Sequence, residues 1–159
     1  TRNAPAAEAI VPAAPALLDP AVTACPAPAG PTLPAFAAEK ARIGFAQRER
    51  RPFSPADGVE AVALLETAAA CYHTANLANE EREVKWAATS LRGRLDEEYH
   101  VRRVRIEHAF KVGDPFAAKR ELAFLVPMMA HRRGPYVDWL GSVDRYASQA
   151  LDERSTRKL

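Results

Sequence analysis

The chain has little of the residue types that carry metal-binding and redox chemistry. Only 2 cysteines and 4 histidines occur among 159 residues, and aromatic residues make up 8%. Cys25 and Cys71 stand far apart in unlike surroundings, so they match neither a metal-binding spacing nor a disulfide framework. We therefore expect free thiols in a reducing compartment, with Cys71 a buried structural thiol in the apolar stretch TAAACYH.

Sequence signatures of catalysis and cofactor binding are missing as well. His100 and His108 are two helical turns apart, too far to share a metal ion, and no HExxH or CxxC occurs. The glycines form no phosphate-binding loop of the GxxxxGK[ST] or GxGxxG kind. We expect no catalytic residue, no metal, no cofactor and no small-molecule substrate, and hence a protein that is not an enzyme.

An excess of charge of one sign and a long apolar run are also lacking. The chain has 22 basic and 20 acidic residues, a net charge of +2, which is too balanced to indicate a nucleic-acid binder by itself. No uncharged apolar run reaches the roughly 18 residues that a membrane-spanning helix needs, so we expect no membrane span.

Alanine and proline are abundant, and they concentrate at the beginning of the chain. Residues 1–38 hold 8 of the 13 prolines, which forbids a continuous helix there. We predict an extended, polyproline-like strap over residues 1–34 that has no core of its own. Ordering it costs on the order of 1 kcal/mol per residue. The surface beneath it is either the rest of the chain or, as we favour, a neighbouring protein. The first residue is Thr1 and not Met, which fits a processed precursor or a trimmed chain.

Helical spacing of apolar residues dominates the rest of the sequence, and no segment shows the alternation of a strand. We predict an all-α domain over residues 35–151 and a polar, fraying tail over residues 152–159. For residues 79–112 we predict one long helix, and two helices broken near Arg92–Arg94 are the alternative. The other predicted helices are 35–50, 55–77, one that begins at Pro115 and is bent or shortened by Pro127, and one from Pro135 to Leu151. The helix over 35–50 is expected to bury the face with Phe36 and Ile43.

The stretch KVGDPFAAKRELAFL at residues 111–125 joins two of these helices. Gly113 is a helix stop, Asp114 a cap and Pro115 a first helical residue, and Ser54–Pro55 repeats the device. Asn79 is a third candidate cap. Short connections of this kind place consecutive helices antiparallel, as hairpins.

HAFKVGDPFAAKRELAFL resembles the helix junctions of tetratricopeptide and pentatricopeptide repeats, with Ala118, Leu122 and Leu125 as the residues that pack back. The resemblance implies about five helices in stacked antiparallel hairpins. The chain departs from these families in showing no clean repeat at their period of about 34 residues. In size and pentatricopeptide-like character, it is also similar to the helical-hairpin accessory subunits of euglenozoan mitochondrial ATP synthases.

These observations together predict a non-catalytic accessory subunit of a large multiprotein assembly, such as a mitochondrial energy-transducing complex. Its partners are other protein subunits, bound through the helical hairpins and the strap. The expected location is the mitochondrion, or otherwise a reducing soluble compartment. The alternative is a pentatricopeptide-like RNA-binding or organellar ribosome-associated protein.

Three basic clusters are candidate contact sites for either a partner protein or RNA: RERR at 48–51, VRRVR at 101–105 and HRR at 131–133. They could face a phosphate backbone, but acidic residues interleave with them, which favours acidic patches on a partner protein or solvent. The candidate partner-contact residues are Arg102, Arg103, Arg105, Arg132 and Arg133.

Overall fold

The computed structural model describes residues 10–157, and all the regular secondary structure in this range is helical. The prediction of an all-α fold with five helices is thereby confirmed. The helices are α1 Leu33–Arg50, α2 Pro55–Thr74, α3 Ala78–Val112, α4 Pro115–Met128 and α5 Pro135–Thr156. Residues 10–32, the described part of the strap, contain neither helix nor strand.

Of the three predicted capping residues, only Asp114, between α3 and α4, caps its helix with a side-chain hydrogen bond. The Asp114 Oδ1 atom accepts hydrogen bonds from the backbone N–H groups of Phe116 and Ala117, at 3.1 and 3.0 Å. Gly113 has φ +69°, the left-handed conformation that ends α3. Ser54 occupies the cap position of α2, but its side chain makes no capping bond. Asn79 was wrongly predicted as a cap, because α3 already begins at Ala78.

The prediction of one long helix is confirmed by α3, a single helix of 35 residues. Gly93 lies in open space on its surface, and nothing inserts there to break the backbone. The end of α5 differs from the prediction. α5 continues to Thr156, so most of the predicted tail is helical. The hydroxyls of Ser155 and Thr156 bond back to carbonyl groups of the preceding turn, which keeps these polar residues in the helix.

The chain divides into two compact units. The first unit is Leu18–Glu97, and the second unit joins the described residues up to Leu17 with the chain from Glu98 onward. Each unit therefore contains part of the strap and part of α3. The strap/helix boundary predicted near residue 34 does not coincide with this division.

In the first unit, α1 and α2 form an antiparallel hairpin. Gln47 bonds to Glu60 and Arg50 to Asp57, at 2.9 and 2.7 Å, which sets the register of the two helices. Gly44 allows a close approach, because a Cβ atom there would lie 2.9 Å from the side chain of Leu65. The buried face of α1 was predicted wrongly around Phe36 and Ile43, which are only half-buried. Its buried residues are Leu33, Ala37, Ala41 and Gly44.

In the second unit, α4 packs against α5, and Lys119 pairs with Asp144 at 2.7 Å. The residues assigned from the hairpin junction, Ala118, Leu122 and Leu125, are all buried. Phe110 of α3 makes edge-on ring contacts with Trp139 and Tyr146 of α5, with centroids 5.9 and 5.8 Å apart. Aromatic packing of this kind supplies a large buried area from few residues.

The strap is tied to the first unit by a disulfide and by a buried carboxylate. Cys25 is bonded to Cys71 of α2, so the expectation of two free thiols is wrong. Disulfides persist in oxidising compartments, so the cysteines no longer support the expected reducing compartment. Sequence separation hid the pairing, because only folding brings residues 46 positions apart together. The Val22 N–H donates to Glu66 at 3.0 Å, and Leu18 is buried.

The chain's own helices thus order the described strap. Our preference for a neighbouring protein as its support is wrong for residues 10–32. A disulfide, side-chain hydrogen bonds and the buried leucines Leu17 and Leu18 offset its backbone entropy. Contact between the strap and a partner stays a prediction.

Loss of the disulfide should destabilise the protein. A crosslink between residues 46 positions apart restricts the unfolded chain, and removing such a link costs roughly 2–5 kcal/mol. We expect Cys25→Ser/Cys71→Ser to lower the free energy of unfolding in urea by that amount. Reductant should lower it in the wild type and leave the double variant unchanged. Two titratable thiols in the untreated folded protein would contradict the pairing.

Tyr136 should make the protein sensitive to alkali. Its side chain is 1% exposed, its hydroxyl has no partner among the described residues, and burial raises its pKa far above the ordinary value near 10. The unfolded chain ionises first, so the stability due to this group is intact below about pH 10 and falls above it, by about 1.4 kcal/mol per pH unit. Tyr136→Phe should reduce that slope in unfolding experiments above about pH 10. An unchanged slope would contradict the assignment.

Candidate partner-binding surface

The five arginines predicted to contact a partner all lie in the second unit. Arg102, Arg103 and Arg105 belong to α3, and Arg132 and Arg133 lie between α4 and α5. Adjacent residues on a helix point in different directions, so Arg102 and Arg103 have different surroundings.

Arg102 is engaged within the chain. Its guanidinium donates to Glu98 and to Glu121 of α4, both at 3.0 Å, and lies 3.6 Å from the ring centroid of Phe124. The pair with Glu98 spans one turn of the helix, and both side chains are partly buried. Arg102 thus holds α4 against α3 through charge-assisted bonds and ring stacking.

Arg103 is also turned toward its own unit. Its guanidinium lies 4.8 Å from the ring centroid of Tyr99, and its buried Nε has no hydrogen-bond partner among the described residues. Tyr99 is itself buried, and desolvation raises its pKa. Arg103 therefore contributes chiefly to packing around Tyr99.

Arg132 holds the strap. Its Nε donates to the Ala16 carbonyl at 3.1 Å and its Nη2 to the Leu17 carbonyl at 3.3 Å. The Leu17 carbonyl lies 2.7 Å from the Nε2 atom of His131, and Tyr99 donates its hydroxyl to the Pro15 carbonyl at 2.9 Å. A segment outside helices and sheets must find such donors for its carbonyl groups. We call Tyr99, His131 and Arg132 the strap clamp.

Arg105 and Arg133 are the two candidates that remain exposed. Arg105 lines an open groove of about 520 Å³ together with Arg120, and Ala123 and Phe124 supply apolar surface to it. Neither Arg105 nor Arg120 makes an ion pair with any residue that the structure describes. The charge of Arg102 and Glu121 is mutually compensated, so the groove is left with two uncompensated positive charges.

An apolar stripe on α3 in the second unit was missed from the sequence. Val101, Val104 and Val112 are 37%, 55% and 60% exposed. Spacings of three and eleven residues from Val101 keep all three on one side of the helix. Arginines lie between these valines, so the sequence indicates a charged surface. VRRVRIEHAFKV nevertheless carries apolar residues on two faces of the helix. Ile106 belongs to the buried face and the three valines to the open one.

The free energy of unfolding should show whether Arg132 stabilises the fold, as a strap-clamp residue would, or serves only to contact a partner. Arg132→Ala removes the donors to two strap carbonyls and should lower the free energy of unfolding by about 1–3 kcal/mol. The neighbouring exposed Arg133 is the matched control, and Arg133→Ala should stay within about 0.5 kcal/mol of wild type. Equal stability of both variants in urea would show that the clamp contributes nothing.

The described residues contain neither a candidate metal site nor a helix that could span a membrane. Among residues 10–157, no group of three or more His, Cys, Asp or Glu side chains is placed to hold a metal ion. None of the described helices is both long and apolar enough to cross a bilayer. Comparison with known proteins finds no matching family model, curated protein or solved structure.

Proposed function

We propose that this protein is a non-catalytic accessory subunit of a large multiprotein assembly and that a partner protein packs against α3 in the second unit. The observation that carries the proposal is the exposed stripe of Val101, Val104 and Val112. A run of exposed apolar side chains on a single helix face is typical of a surface that a second helix covers.

The charges beside the stripe define the partner further. Arg105 lies next to Val104 in the sequence and lines the groove with Arg120, and neither has an acidic partner among the described residues. Apolar contact supplies affinity at such an interface, whereas complementary charge speeds association and fixes orientation. The partner segment is an amphipathic helix with carboxylates along one edge.

A mitochondrial energy-transducing complex such as ATP synthase is our proposal for the assembly. It is supported by the likeness in size and hairpin rhythm to accessory subunits of that kind. RNA binding is the competing proposal, and it loses support from Arg102 because Glu98 and Glu121 already engage that guanidinium.

A charge placed on the stripe should remove the protein from its assembly. Val104→Glu introduces a carboxylate at a 55% exposed position, so folding should be little affected while a covering helix would have to desolvate the charge. We expect the tagged wild-type protein, purified from the cells that make it, to appear by native mass spectrometry within a complex far heavier than 17.4 kDa. Val104→Glu should be absent from that complex.

The control is Val126→Glu on α4, where the native side chain is exposed to a similar extent, 48%. This variant should remain in the complex. Recovery of the wild type only as a free chain, or retention of Val104→Glu, would overturn the proposal. Release of the protein by ribonuclease treatment of the complex would favour the RNA alternative.

A further inference from the structure

A groove in the first unit combines an exposed tryptophan with a surplus of arginines. It has a volume of about 410 Å³ and lies between the end of α1 with the following turn and the middle of α3. Trp86 is 70% exposed, whereas the other tryptophan of the chain, Trp139, is 9% exposed in the core of the second unit. The lining residues are Arg48, Glu49, Arg51, Pro52, Trp86, Ala87, Ser90, Leu91 and Arg94.

The local fold explains why these side chains meet. α1 ends in two basic residues of the RERR cluster, and the short turn that follows brings Arg51 and Pro52 beside the groove. On α3, Trp86, Ser90 and Arg94 follow one another at intervals of four residues, which places them on one helix face. The buried residue Leu91 forms part of the floor.

The charge of the groove is positive. Two arginines that make no ion pair with a described residue, Arg48 and Arg94, line it against one acidic residue, Glu49. The Arg48 guanidinium lies 4.8 Å from the ring centroid of Phe45, which holds the side chain in place. Arg51 packs its aliphatic part against Gly58, where a Cβ atom would come within 2.6 Å of it. Arg48 is thus positioned by packing before any ligand arrives, whereas Arg51 already has an interaction within the protein.

An apolar surface is available next to these cations. A tryptophan this exposed is a common anchor at protein interfaces, where Trp and Arg residues contribute much of the binding energy. The ring of Trp86 can cover an apolar side chain of a ligand while the arginines receive its carboxylates. The combination suits a short peptide segment better than a small molecule in an open groove.

We propose that the Trp86 groove binds an acidic peptide segment of a partner protein, with carboxylates beside an apolar side chain. The proposal rests on the proposed function in that it gives the chemistry of a second contact with the assembly. Single-stranded nucleic acid is disfavoured, because a phosphate at every nucleotide would meet Glu49, whereas a peptide can space its carboxylates around that residue.

The test is a binding titration on the purified full chain, followed by fluorescence anisotropy. The probe is a labelled synthetic peptide with glutamates on both sides of a single leucine, and its control has glutamines in place of the glutamates. We expect saturable binding of the glutamate peptide that weakens as salt is added, and at least about tenfold weaker binding of the glutamine peptide.

Variants locate the site. Trp86→Ala and Arg94→Glu should each weaken binding at least about tenfold, since both residues are exposed and line the groove. Arg145→Glu on α5 is the matched charge control, because Arg145 is exposed and lines neither groove, and this variant should bind as wild type does. Circular dichroism of each variant should show unchanged helical content.

Three results would overturn the inference: no binding of the glutamate peptide, equal binding by Trp86→Ala, or equal loss in Arg145→Glu. A labelled oligouridine that binds more tightly than the peptide, through Trp86 and Arg94, would make the groove a nucleic-acid site and overturn it too. The titration uses the purified chain alone and needs no assembly. If the chain binds the peptide but occurs in cells only as a free protein, the proposed function fails and this inference stands.

Discussion

The polar backbone of a proline-rich segment is the constraint on which much of this structure depends. Residues 10–32 belong to no helix or sheet, so their N–H and carbonyl groups need donors and acceptors from elsewhere. In the first unit Glu66 accepts the Val22 N–H, and in the second unit the strap clamp donates to the carbonyls of residues 15–17. Polar side chains of the helices and of the turn between α4 and α5 thereby supply the hydrogen bonds that a neighbouring strand supplies in a sheet.

Burying the Glu66 carboxylate beside the strap costs free energy, and an ion pair with Arg92 offsets that cost. The residue is only 9% exposed, and Arg92 donates to both of its carboxylate oxygens at 2.7 and 3.1 Å. That bond raises the pKa of Arg92. A buried carboxylate without such a partner would be strongly destabilising, whereas the paired one joins α2, α3 and the strap at one point. The Cys25–Cys71 disulfide links the strap to the same helix.

The arginines illustrate why basic residues alone do not define a binding surface. Arg102 bridges α3 and α4, Arg103 covers a tyrosine ring, and Arg132 holds the strap, so three of the five predicted contact residues have structural roles. Arg's planar guanidinium suits such internal roles because it can bond to two acceptors and also stack on a ring. The surfaces that we propose for partners are those where cations without an internal acid lie beside exposed apolar side chains, as Arg105 does near the α3 valines.

Helix positions could be predicted from the sequence, because apolar spacing and turn residues are local properties of the chain. The Gly113–Asp114–Pro115 junction is the clearest case, since a left-handed glycine, a capping carboxylate and a proline act within three residues. The face of α1 was predicted less well. Its burial depends on small residues, Ala37, Ala41 and Gly44, which give a weak hydrophobic pattern but permit close helix contact.

The sequence by itself determined the all-α fold, the order of the helices and the Ala/Pro character of the strap. Only the tertiary structure decided that Cys25 meets Cys71, that Arg102 and Arg132 face inward, and that Trp86 and three valines of α3 stay exposed. The reason is that periodicity shows which side of a helix is apolar but not which neighbour covers it. Pairing and exposure depend on contacts between residues far apart in the chain.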